Sequence, residues 1–461
     1  MTTRRGEPVI ERIDATAGRF DEQLLELRRM LSPQGDVVSE AGRARTIAVF
    51  GEPLTPRQVV QRICRDIREE GISALLRYTE QLDGKSLSAD TLRVPRETLE
   101  AAHAAVDSEF LRTVRAVRDR IAMFQTSVVP RNATVRRDGV TLQQRVRPLE
   151  RVGICVPGGA AAYPSTLLMT AVPAQVAGVR QLAVMAPPTP FGSENRQLLA
   201  VCHELGIDCV YRMGGAQGVA ALAYGVDGVE PVDMIVGPGN LFVALAKQSV
   251  FGQVAIDSIA GPSEVVIVAD DTADANWVAA DLLAQAEHAP GASFLVTWSD
   301  SLLDRVESAL AQQLGRLQRA DVTRQSLIRF GRLIRARDAQ HAVAIARSMA
   351  PEHLHVQTAD ARSLADQLDT AGALFIGRYA TVALGDYVAG PSHVLPTGGT
   401  ARWASGLSAA TFVRTHSVIE YQPEGLTDDA PLAMALAERE GLTAHRESIA
   451  MRLGHRSEQD S

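Results

Sequence analysis

Two side chains able to bind a metal ion stand three residues apart in the segment Asp281-Leu-Leu-Ala-Gln-Ala-Glu-His-Ala-Pro290. Its apolar residues have the spacing of the buried stripe of an α-helix, which places Gln285 and His288 at neighbouring points of one helix face. An imidazole nitrogen is a good zinc ligand and an amide oxygen a weak one. The pair therefore predicts half of a Zn²⁺ site, with the solvated side of a helix as the alternative, and the other ligands must come from elsewhere in the chain.

Two proton acceptors stand side by side in Pro351-Glu-His-Leu354, where a predicted helix ends and a strand begins. Histidine titrates near neutrality and suits proton removal from an alcohol, while a carboxylate can take a proton from water. Glu352 and His353 therefore fit a reaction with two proton removals. Without further context, an adjacent Glu-His pair is more typical of a solvated surface.

Further polar candidates lie late in the chain, where six of the ten histidines follow position 350. Asp386 and His393 belong to a Gly- and Pro-rich stretch, 383–400, which predicts irregular backbone, and polar side chains on a rigid loop often serve a ligand. Glu440 and His445 lie on the last predicted helical segment. We expect a polar site assembled from these parts of the chain.

Three glycine-rich loops follow predicted strands, at Pro157–Gly159, Gly214–Gly218 and Val236–Asn240. Glycines there let a backbone approach a ligand closely and leave helix N-termini free to meet phosphate. None of the loops is G-x-G-x-x-G, so the dinucleotide fingerprint is absent. Gln217 and Asn240 stand at helix starts behind such loops and can hydrogen-bond a ribose or an amide, with helix capping as the alternative, especially for Asn240.

The four cysteines form no C-x-x-C pair, so reduced and mostly buried thiols are expected. Cys155 differs because it lies at a predicted strand end, just before Val-Pro-Gly-Gly, where ligands bind. No base is near it in sequence, which disfavours a nucleophilic role.

These candidates must be positioned by strands that alternate with helices, from about residue 140 to 250 and again from Ile259 to about 376. Such alternation predicts parallel sheets with helices on both faces. Amphipathic helices come first, at Asp21–Met30, Pro56–Glu70 and from Pro95 towards Phe124. The fold class is therefore α/β, with two Rossmann-like, doubly wound parallel-sheet domains, a helical N-terminal arm and a C-terminal extension.

Composition narrows the function classes. The chain has 461 residues, 46% hydrophobic and 22% charged, with a net charge of −7 and no basic stripe, which excludes a typical nucleic-acid binder. No apolar run approaches the roughly 20 residues of a membrane span, and the first residues lack the apolar segment of a signal peptide. We expect a cytoplasmic protein with a small-molecule ligand and no membrane partner.

Six motifs, in this order along the chain, resemble those of the histidinol dehydrogenase family over roughly residues 50–455. They are Gly237-Pro-Gly-Asn240, Ala260-Gly-Pro-Ser-Glu264, Asp281-Leu-Leu-Ala-Gln-Ala-Glu-His288, Pro351-Glu-His-Leu354, Gly385-Asp-Tyr-Val-Ala-Gly-Pro-Ser-His-Val-Leu-Pro-Thr397 and Glu440-Gly-Leu-Thr-Ala-His445.

The resemblance implies the last step of histidine biosynthesis, in which L-histidinol is oxidised through L-histidinaldehyde to L-histidine with two NAD⁺ and one Zn²⁺. His353 would take the alcohol proton, and Glu352 would activate the water that attacks the aldehyde. The implied metal ligands are Gln285, His288, Asp386 and His445. The implied substrate contacts are Ser263, Gln285, His288, His353, Asp386, His393, Glu440 and His445, and the implied NAD contacts are Cys155, Gln217 and Asn240.

The resemblance also implies a homodimer, in which Glu440 and His445 serve the partner's site. The corresponding division of the chain is a helical arm at 1–50, an α/β domain with the metal and catalytic residues at 51–150 plus 263–405, a Rossmann-like NAD-binding domain at 151–262 and a dimerisation segment at 406–461. Mn²⁺ or Co²⁺ could occupy the same ligands as Zn²⁺. His355 shares a strand face with His353 but belongs to no recognised motif, so its role is open.

Cys155 departs from the family, which usually has Tyr before Val-Pro-Gly-Gly. A thiol there would permit a thiohemiacetal in the aldehyde step, but a water-based step through Glu352 needs none and is preferred.

Two other functions are weighed against this one. A paralogue could oxidise another small primary alcohol such as a sulfonated diol, but Glu440 suits a cationic amine better than a sulfonate. A catalytically silent NAD- or metal-binding regulator would not need the Glu352–His353 pair.

Overall fold

The computed structural model describes residues 9–31, 40–159, 161–288 and 290–454. These residues form two compact units. One comprises the residues up to Val128 and from Leu149 to Thr411, and the other those from Val129 to Pro148 and from Phe412 onwards.

The first part of the chain is mainly helical, as expected, but it begins with a strand. The elements are β1 (Glu11–Asp14), α1 (Phe20–Leu31), α2 (Glu40–Phe50), α3 (Pro56–Glu70), α4 (Ile72–Asp83), α5 (Ala89–Leu92), α6 (Arg96–Ala105) and α7 (Ser108–Val128). Helix α3 shows why the sequence signals are clear here. Thr55 and Gln58 form a reciprocal capping box, Pro56 occupies the first turn and Gly71 ends the helix.

The next elements are β2 (Ala133–Arg137), β3 (Val140–Pro148), β4 (Arg151–Cys155), α8 (Pro164–Ala177), β5 (Gln181–Ala186), α9 (Arg196–Glu204), β6 (Cys209–Arg212), α10 (Gly215–Tyr224), β7 (Met234–Val236), α11 (Leu241–Val250) and β8 (Ala255–Ile256). In the described part of the chain, five of these strands form a parallel sheet in the order β6-β5-β4-β7-β8. This is a Rossmann-like order, and its switch point lies between β4 and β7.

The second alternating region contains β9 (Ser263–Ala269), α12 (Ala275–Ala286), β10 (Gly291–Thr297), α13 (Asp300–Leu314), α14 (Ala320–Phe330), β11 (Arg332–Arg335), α15 (Ala339–Met349), β12 (His353–Gln357), α16 (Ala361–Ala365), β13 (Ala373–Ile376) and α17 (Val382–Tyr387). Within the described ranges, the parallel sheet order is β1-β11-β10-β9-β12-β13. Its switch point lies between β9 and β12. The expected fold class, with two doubly wound parallel sheets, is confirmed.

The central strands read as apolar runs because helices cover both sheet faces. In β9, every residue from Glu264 to Ala269 is buried. The helices α3 and α4 share one apolar core with α10 and α11 of the five-stranded sheet. The sequence analysis grouped residues 51–150 with the metal-carrying domain, and this packing assigns α3 and α4 to the other sheet. An amphipathic stripe predicts a buried face but not which surface buries it.

The second unit is built from β2, β3, β14 (Val413–Tyr421), α18 (Pro423–Arg439) and α19 (Thr443–Gly454). Its described strands form an antiparallel sheet in the order β14-β3-β2. Residues 129–148, which the sequence analysis placed in the α/β domain, therefore belong with the C-terminal extension. The pairing joins segments about 270 residues apart, as in Gln144 opposite Ser417, which local sequence pattern does not reveal.

None of the helices in the described ranges combines the length and apolarity needed to cross a bilayer.

Candidate active site

A chain of short hydrogen bonds joins the amino-terminal ends of β9 and β12, which are neighbours at the switch point of the six-stranded sheet. Ser263 donates its hydroxyl proton to Glu352 Oε2 at 2.6 Å and accepts from Gln285 Nε2 at 2.7 Å. The main-chain N–H of Glu264 donates to the same Glu352 oxygen at 3.1 Å. Helix α12 is thereby tied to both strands. Ligands of open α/β sheets usually bind beyond the carboxyl ends of strands, whereas this polar group lies at the amino ends.

His353, the first residue of β12, is only 3% exposed. Its Nδ1 lies 3.2 Å from the carbonyl oxygen of Glu264. A carbonyl only accepts, so Nδ1 carries the proton and Nε2 keeps its lone pair. Among the described residues, this buried Nε2 has no hydrogen-bond partner, and Asp386 Oδ1 is 3.7 Å away. Burial lowers the pKa of His353, so the ring is neutral near pH 7 and can accept a proton at Nε2.

Two buried carboxyl groups, Glu264 and Glu352, face each other across β9 and β12. The main-chain N–H of each residue donates to the carboxylate of the other, at 3.1 and 3.2 Å. Burial first, and then repulsion from Glu352, raises the pKa of Glu264 to about 8. Burial, with a contribution from Asp386, raises that of Glu352 to about 8. The sequence analysis gave Glu264 no role, although an acidic residue opening the apolar run Val265–Ala269 is an unusual signal.

Asp386 lies on helix α17, which corrects the expectation of irregular backbone for 383–400. The Gly and Pro residues mostly flank this short helix, and Gly385 within it has a packing function. A Cβ at Gly385 would come within 2.7 Å of the ring of Phe375 on β13. The glycine therefore lets α17 approach the sheet closely enough to bring Asp386 next to His353.

His393 and His288 complete the group of imidazoles around Asp386. His393 lies in irregular backbone, as expected, and its Nδ1 is 2.9 Å from the main-chain oxygen of Asp386. His288 lies in the turn after α12. Burial lowers the pKa of both histidines, and the Asp386 charge opposes the shift in each. His288, His353 and His393 are thus all close enough to Asp386 for its charge to act on their pKa values.

The donor types at this site fit a divalent cation. In the described residues no cluster of three or more His, Cys, Asp or Glu side chains forms a metal site. The implied ligand set escapes this criterion because one of its members is Gln285 and another, His445, belongs to the second unit, which leaves only His288 and Asp386 of the counted types in the first. Among the described residues, the buried His353 Nε2 has no hydrogen-bond partner and lies 3.7 Å from Asp386 Oδ1, so two lone-pair-bearing atoms face each other with no donor between them. A Zn²⁺ ion held at Asp386 would offset the charge of this carboxylate.

The remaining implied residues, Glu440 and His445, belong to the second unit. Glu440 caps the C-terminus of α18, and His445 lies in the first turn of α19. Both are exposed.

A cavity of about 910 Å³ opens at the switch point of the five-stranded sheet. All three glycine-rich loops line it. The structure brings Cys155, Gln217 and Asn240 together around this cavity, and His288 lines it too. The cavity extends from the glycine-rich loops to His288, so a ligand in it can contact this side chain.

The three side chains implied in NAD binding differ in their present partners. Asn240 Oδ1 accepts from the main-chain N–H groups of Phe242 and Val243 at 3.0 and 3.2 Å, so Asn240 caps the N-terminus of α11. Gln217 donates to Asp83 at 3.0 Å, and among the described residues its buried Oε1 has no partner. Burial raises the pKa of the Cys155 thiol to about 12, which keeps it protonated and poorly nucleophilic.

A buried ion pair fixes the loop that carries Asn240. Lys247 on α11 is paired with Asp257, and both side chains are almost fully buried. Lys247 Nζ donates to the carbonyl of Gly237 at 3.1 Å, and Asp257 accepts from the N–H of Gly237 at 2.7 Å. A Cβ at Gly237, whose φ is +99°, would lie 2.4 Å from the carbonyl oxygen of Cys155. The sequence analysis overlooked this pair, although Lys247 is the one charged residue in the apolar helix Leu241–Val250.

A cofactor-sized cavity at the switch point of a Rossmann-like sheet, lined by three glycine-rich loops, is typical of a nucleotide-dependent enzyme of the doubly wound α/β class. The family model for histidinol dehydrogenase matches residues 53–453. The chain belongs to the histidinol dehydrogenase family, whose members are NAD-dependent enzymes, as the sequence motifs predicted.

Individual relatives agree with this assignment. A histidinol dehydrogenase of Rhodopirellula baltica is 56% identical over 440 residues, which cover 95% of this chain and 96% of that protein. One from Geobacillus kaustophilus is 46% identical over 399 residues, 86% of this chain and 94% of the relative. A crystal structure of histidinol dehydrogenase from Elizabethkingia anophelis superimposes with a TM-score of 0.87 at 30% identity, covering 98% of this chain and all of that one, 100%.

Proposed function

We propose that this protein oxidises L-histidinol through L-histidinaldehyde to L-histidine, with two NAD⁺ consumed, as the last step of histidine biosynthesis. Within the family, the observation that carries the proposal is the neutral, buried His353 with an unpartnered Nε2, beside a second proton acceptor, Glu352. An alcohol oxidation needs one such acceptor, and hydration of the resulting aldehyde needs another.

The two steps use the pair in turn. His353 accepts the carbinol proton at Nε2, and its Nδ1–H bond to the Glu264 carbonyl holds the ring in the required tautomer. Glu352 then takes a proton from the water that attacks the aldehyde. The donors Ser263 and Glu264 favour the ionised, accepting form of Glu352, but burial outweighs them and raises its pKa to about 8, so only the ionised fraction of Glu352 can accept this proton.

Gln285, His288 and Asp386 would hold a Zn²⁺ ion, with His445 of the other subunit as the fourth protein ligand. Their imidazole, carboxylate and amide groups suit zinc, and also Mn²⁺ or Co²⁺. Once bound, the ion polarises the substrate and fixes its orientation. Ser263, His393 and Glu440 would contact the substrate together with the metal ligands and His353, and the Glu440 carboxylate suits the substrate's cationic amine.

The cavity of about 910 Å³ would take NAD⁺, which accepts a hydride in each oxidation. Gln217 and Asn240 would provide polar contacts at its loops, while Cys155 would line the pocket without a ring contact. The enzyme would act in the cytoplasm as a homodimer whose Glu440 and His445 complete the partner's site, with no nucleic-acid or membrane partner.

The discriminating experiment measures steady-state NADH formation by the Zn²⁺-loaded protein with L-histidinol and with a sulfonated diol. The proposal predicts that kcat/KM for L-histidinol exceeds kcat/KM for the sulfonated diol by about 10³-fold or more, because Glu440 pairs with an amine and repels a sulfonate. Turnover of the diol alone would assign the chain to a different substrate, and NADH formation from neither alcohol would overturn the proposed activity.

A further inference from the structure

His355, two residues beyond His353, is completely buried and is part of a polar network that the proposed mechanism does not use. Its Nε2 lies 3.0 Å from the carbonyl oxygen of Gly377, which follows β13. The carbonyl can only accept, so Nε2 carries the proton and Nδ1 is left as an acceptor.

The side-chain amide of Gln357 supplies the donor that Nδ1 needs. Gln357 Nε2 lies 3.2 Å from His355 Nδ1 and 3.0 Å from Asp281 Oδ2. An amide nitrogen has two protons, so one N–H can serve each acceptor. Without Gln357, the lone pair of His355 would face the Asp281 carboxylate, 3.3 Å away, unopposed.

The other oxygen of the same carboxylate reaches a third element. Thr381 donates its hydroxyl proton to Asp281 Oδ1 at 2.8 Å. Thr381 stands at the N-cap position of α17, but its hydroxyl makes no capping bond there. Its hydrogen-bonding capacity is therefore used to hold α17 against α12, not to stabilise its own helix.

The positions of these residues along their elements connect the network to the site. Asp281 lies one helical turn before Gln285 on α12. Thr381 immediately precedes α17, which carries Asp386, and His355 lies on the strand that begins with His353. The ring of Phe375 also contacts both histidines, with centroids 6.0 Å from His353 and 6.3 Å from His355.

We propose that His355, Gln357, Asp281 and Thr381 form a positioning network that sets the separation of α12 from α17, and thereby the metal affinity of Gln285, His288 and Asp386. The network touches neither metal nor substrate, so its members are positioning residues. The inference rests on the proposed function only for the identity of these ligands.

The test compares Thr381→Val with Thr79→Val. Both substitutions remove a hydroxyl and keep the shape of the side chain. Thr79 is completely buried and donates to the carbonyl of Leu75 at 2.8 Å within helix α4, whose apolar residues belong to the core of the five-stranded sheet. Zn²⁺ dissociation constants would be measured by chelator competition, and unfolding midpoints would be measured on the metal-free proteins.

We expect Thr381→Val to weaken Zn²⁺ binding about 10-fold or more, the usual effect of losing an outer hydrogen bond at a metal site, while its metal-free midpoint falls no further than that of Thr79→Val. Asp281→Asn should weaken Zn²⁺ binding similarly. The double variant Thr381→Val/Asp281→Asn should lose less binding free energy than the sum of the two single variants, because both changes affect the same Thr381–Asp281 hydrogen bond. Equal Zn²⁺ affinity of Thr381→Val and Thr79→Val would overturn the positioning role.

A parallel assay of the wild type separates this inference from the proposed function. If the wild type binds Zn²⁺ and Thr381→Val binds it weakly, the positioning role stands even when histidinol is not oxidised. If the wild type oxidises histidinol but Thr381→Val binds Zn²⁺ as tightly as the control variant does, the proposed function stands and the positioning role fails. A wild-type protein that binds no Zn²⁺ overturns both the metal assignment and the network's role.

Discussion

At the scale of single residues, the site depends on the protonation state of two neighbouring groups. His353 is held neutral by burial, and its hydrogen bond to the Glu264 carbonyl leaves Nε2 free to accept a proton. Hydrogen bonds from Ser263 and Glu264 lower the pKa of Glu352, but burial raises it by more, to about 8. Although Glu352 and His353 are adjacent in sequence, their side chains have different surroundings, because Glu352 precedes β12 and His353 is the first residue of the strand.

Replacement of Glu352 by Gln should separate the two oxidations. Gln cannot take a proton from water, so the aldehyde step should slow by about 10²-fold or more, while the alcohol step, which uses His353, should be affected less. Rapid-mixing measurements with histidinol would then show one fast equivalent of NADH and a slow second one. His353→Asn is the matched control and should slow the first equivalent. Equal slowing of both equivalents by Glu352→Gln would refute the division of labour.

Replacement of Cys155 by Ser should leave both oxidations within about threefold of the wild type. The thiol is buried and its pKa is raised to about 12, so it supplies almost no thiolate at neutral pH. The measurement is the rate of each NADH equivalent in a single turnover. Selective loss of the aldehyde step in this variant would instead establish the thiohemiacetal route.

At this scale, candidate site residues could be named from the sequence, but the contacts between their side chains could not. Helical spacing predicted Gln285 and His288 on one helix face, but α12 ends at Ala286 and His288 lies in the turn beyond it. Glu352 and His353 are adjacent in sequence. The 3.7 Å approach of His353 to Asp386 depends on how α17 packs against β13, and no local pattern reports it. Buried charges inside apolar segments, such as Glu264 and Lys247, were visible signals that were not used.

At the scale of secondary-structure elements, buried and half-buried ion pairs fix the parts that carry the site. Lys247 and Asp257 hold the Gly237 peptide from both sides, which sets the loop in front of α11. Strand and helix bounds were largely predictable because capping residues and apolar periodicity are local. Helix α17 was missed because its six residues lie among Gly and Pro, and the partner surfaces of α3 and α4 depend on tertiary packing.

Replacement of Lys247 by Met should lower the free energy of unfolding by about 3 kcal/mol, because Asp257 is left as an unpaired buried charge. It should also raise the KM for NAD⁺, since the Gly237 loop loses one anchor. Urea unfolding and steady-state kinetics measure the two effects. Lys247→Met/Asp257→Asn should recover part of the stability, and a double variant less stable than Lys247→Met would contradict the pairing.

A second ion pair joins α7 to α9 and predicts acid sensitivity. Arg115 makes two hydrogen bonds of 2.8 Å to Glu204, and these, with His103, lower the pKa of Glu204 to about 2. Because the pKa of Glu204 is lower in the folded than in the unfolded state, its ionised carboxylate stabilises the fold at pH values above the unfolded-state pKa. This stabilisation is lost as the pH falls towards 2. Arg115→Gln should therefore lower the free energy of unfolding at pH 7, but only modestly, since Arg115 is half exposed and solvent screens the pair.

The measurement for Arg115→Gln is the urea-derived free energy of unfolding across pH 3 to 7. The gap between variant and wild type should shrink steadily towards acid. A gap that is constant with pH would mean that the contacts of Arg115 stabilise by packing and not through the charge of Glu204.

At the scale of the whole molecule, the proposed ligand and substrate sets are divided between two compact units. Gln285, His288 and Asp386 belong to one, and Glu440 and His445 to the other. The sequence motifs predicted the family and the two parallel sheets. The distant pairing of β3 with β14 escaped prediction, because antiparallel partners so far apart leave no local trace.

A mixing experiment tests the proposed sharing of sites between subunits. His288→Ala and His445→Ala should each be inactive as homodimers, whereas co-expression should restore roughly a quarter of wild-type activity, because half of the dimers are mixed and each has one intact site. Both homodimers expressed separately are the controls. Lack of recovery in verified mixed dimers would show that each chain completes its own site.

The most direct test of the account as a whole is the number of NADH molecules formed for each L-histidinol consumed by the zinc-loaded enzyme, measured at completion with excess NAD⁺ and with product identified as L-histidine. The account predicts two NADH for each histidinol. One NADH, with the aldehyde as the final product, would contradict the claim that a single site carries out both oxidations.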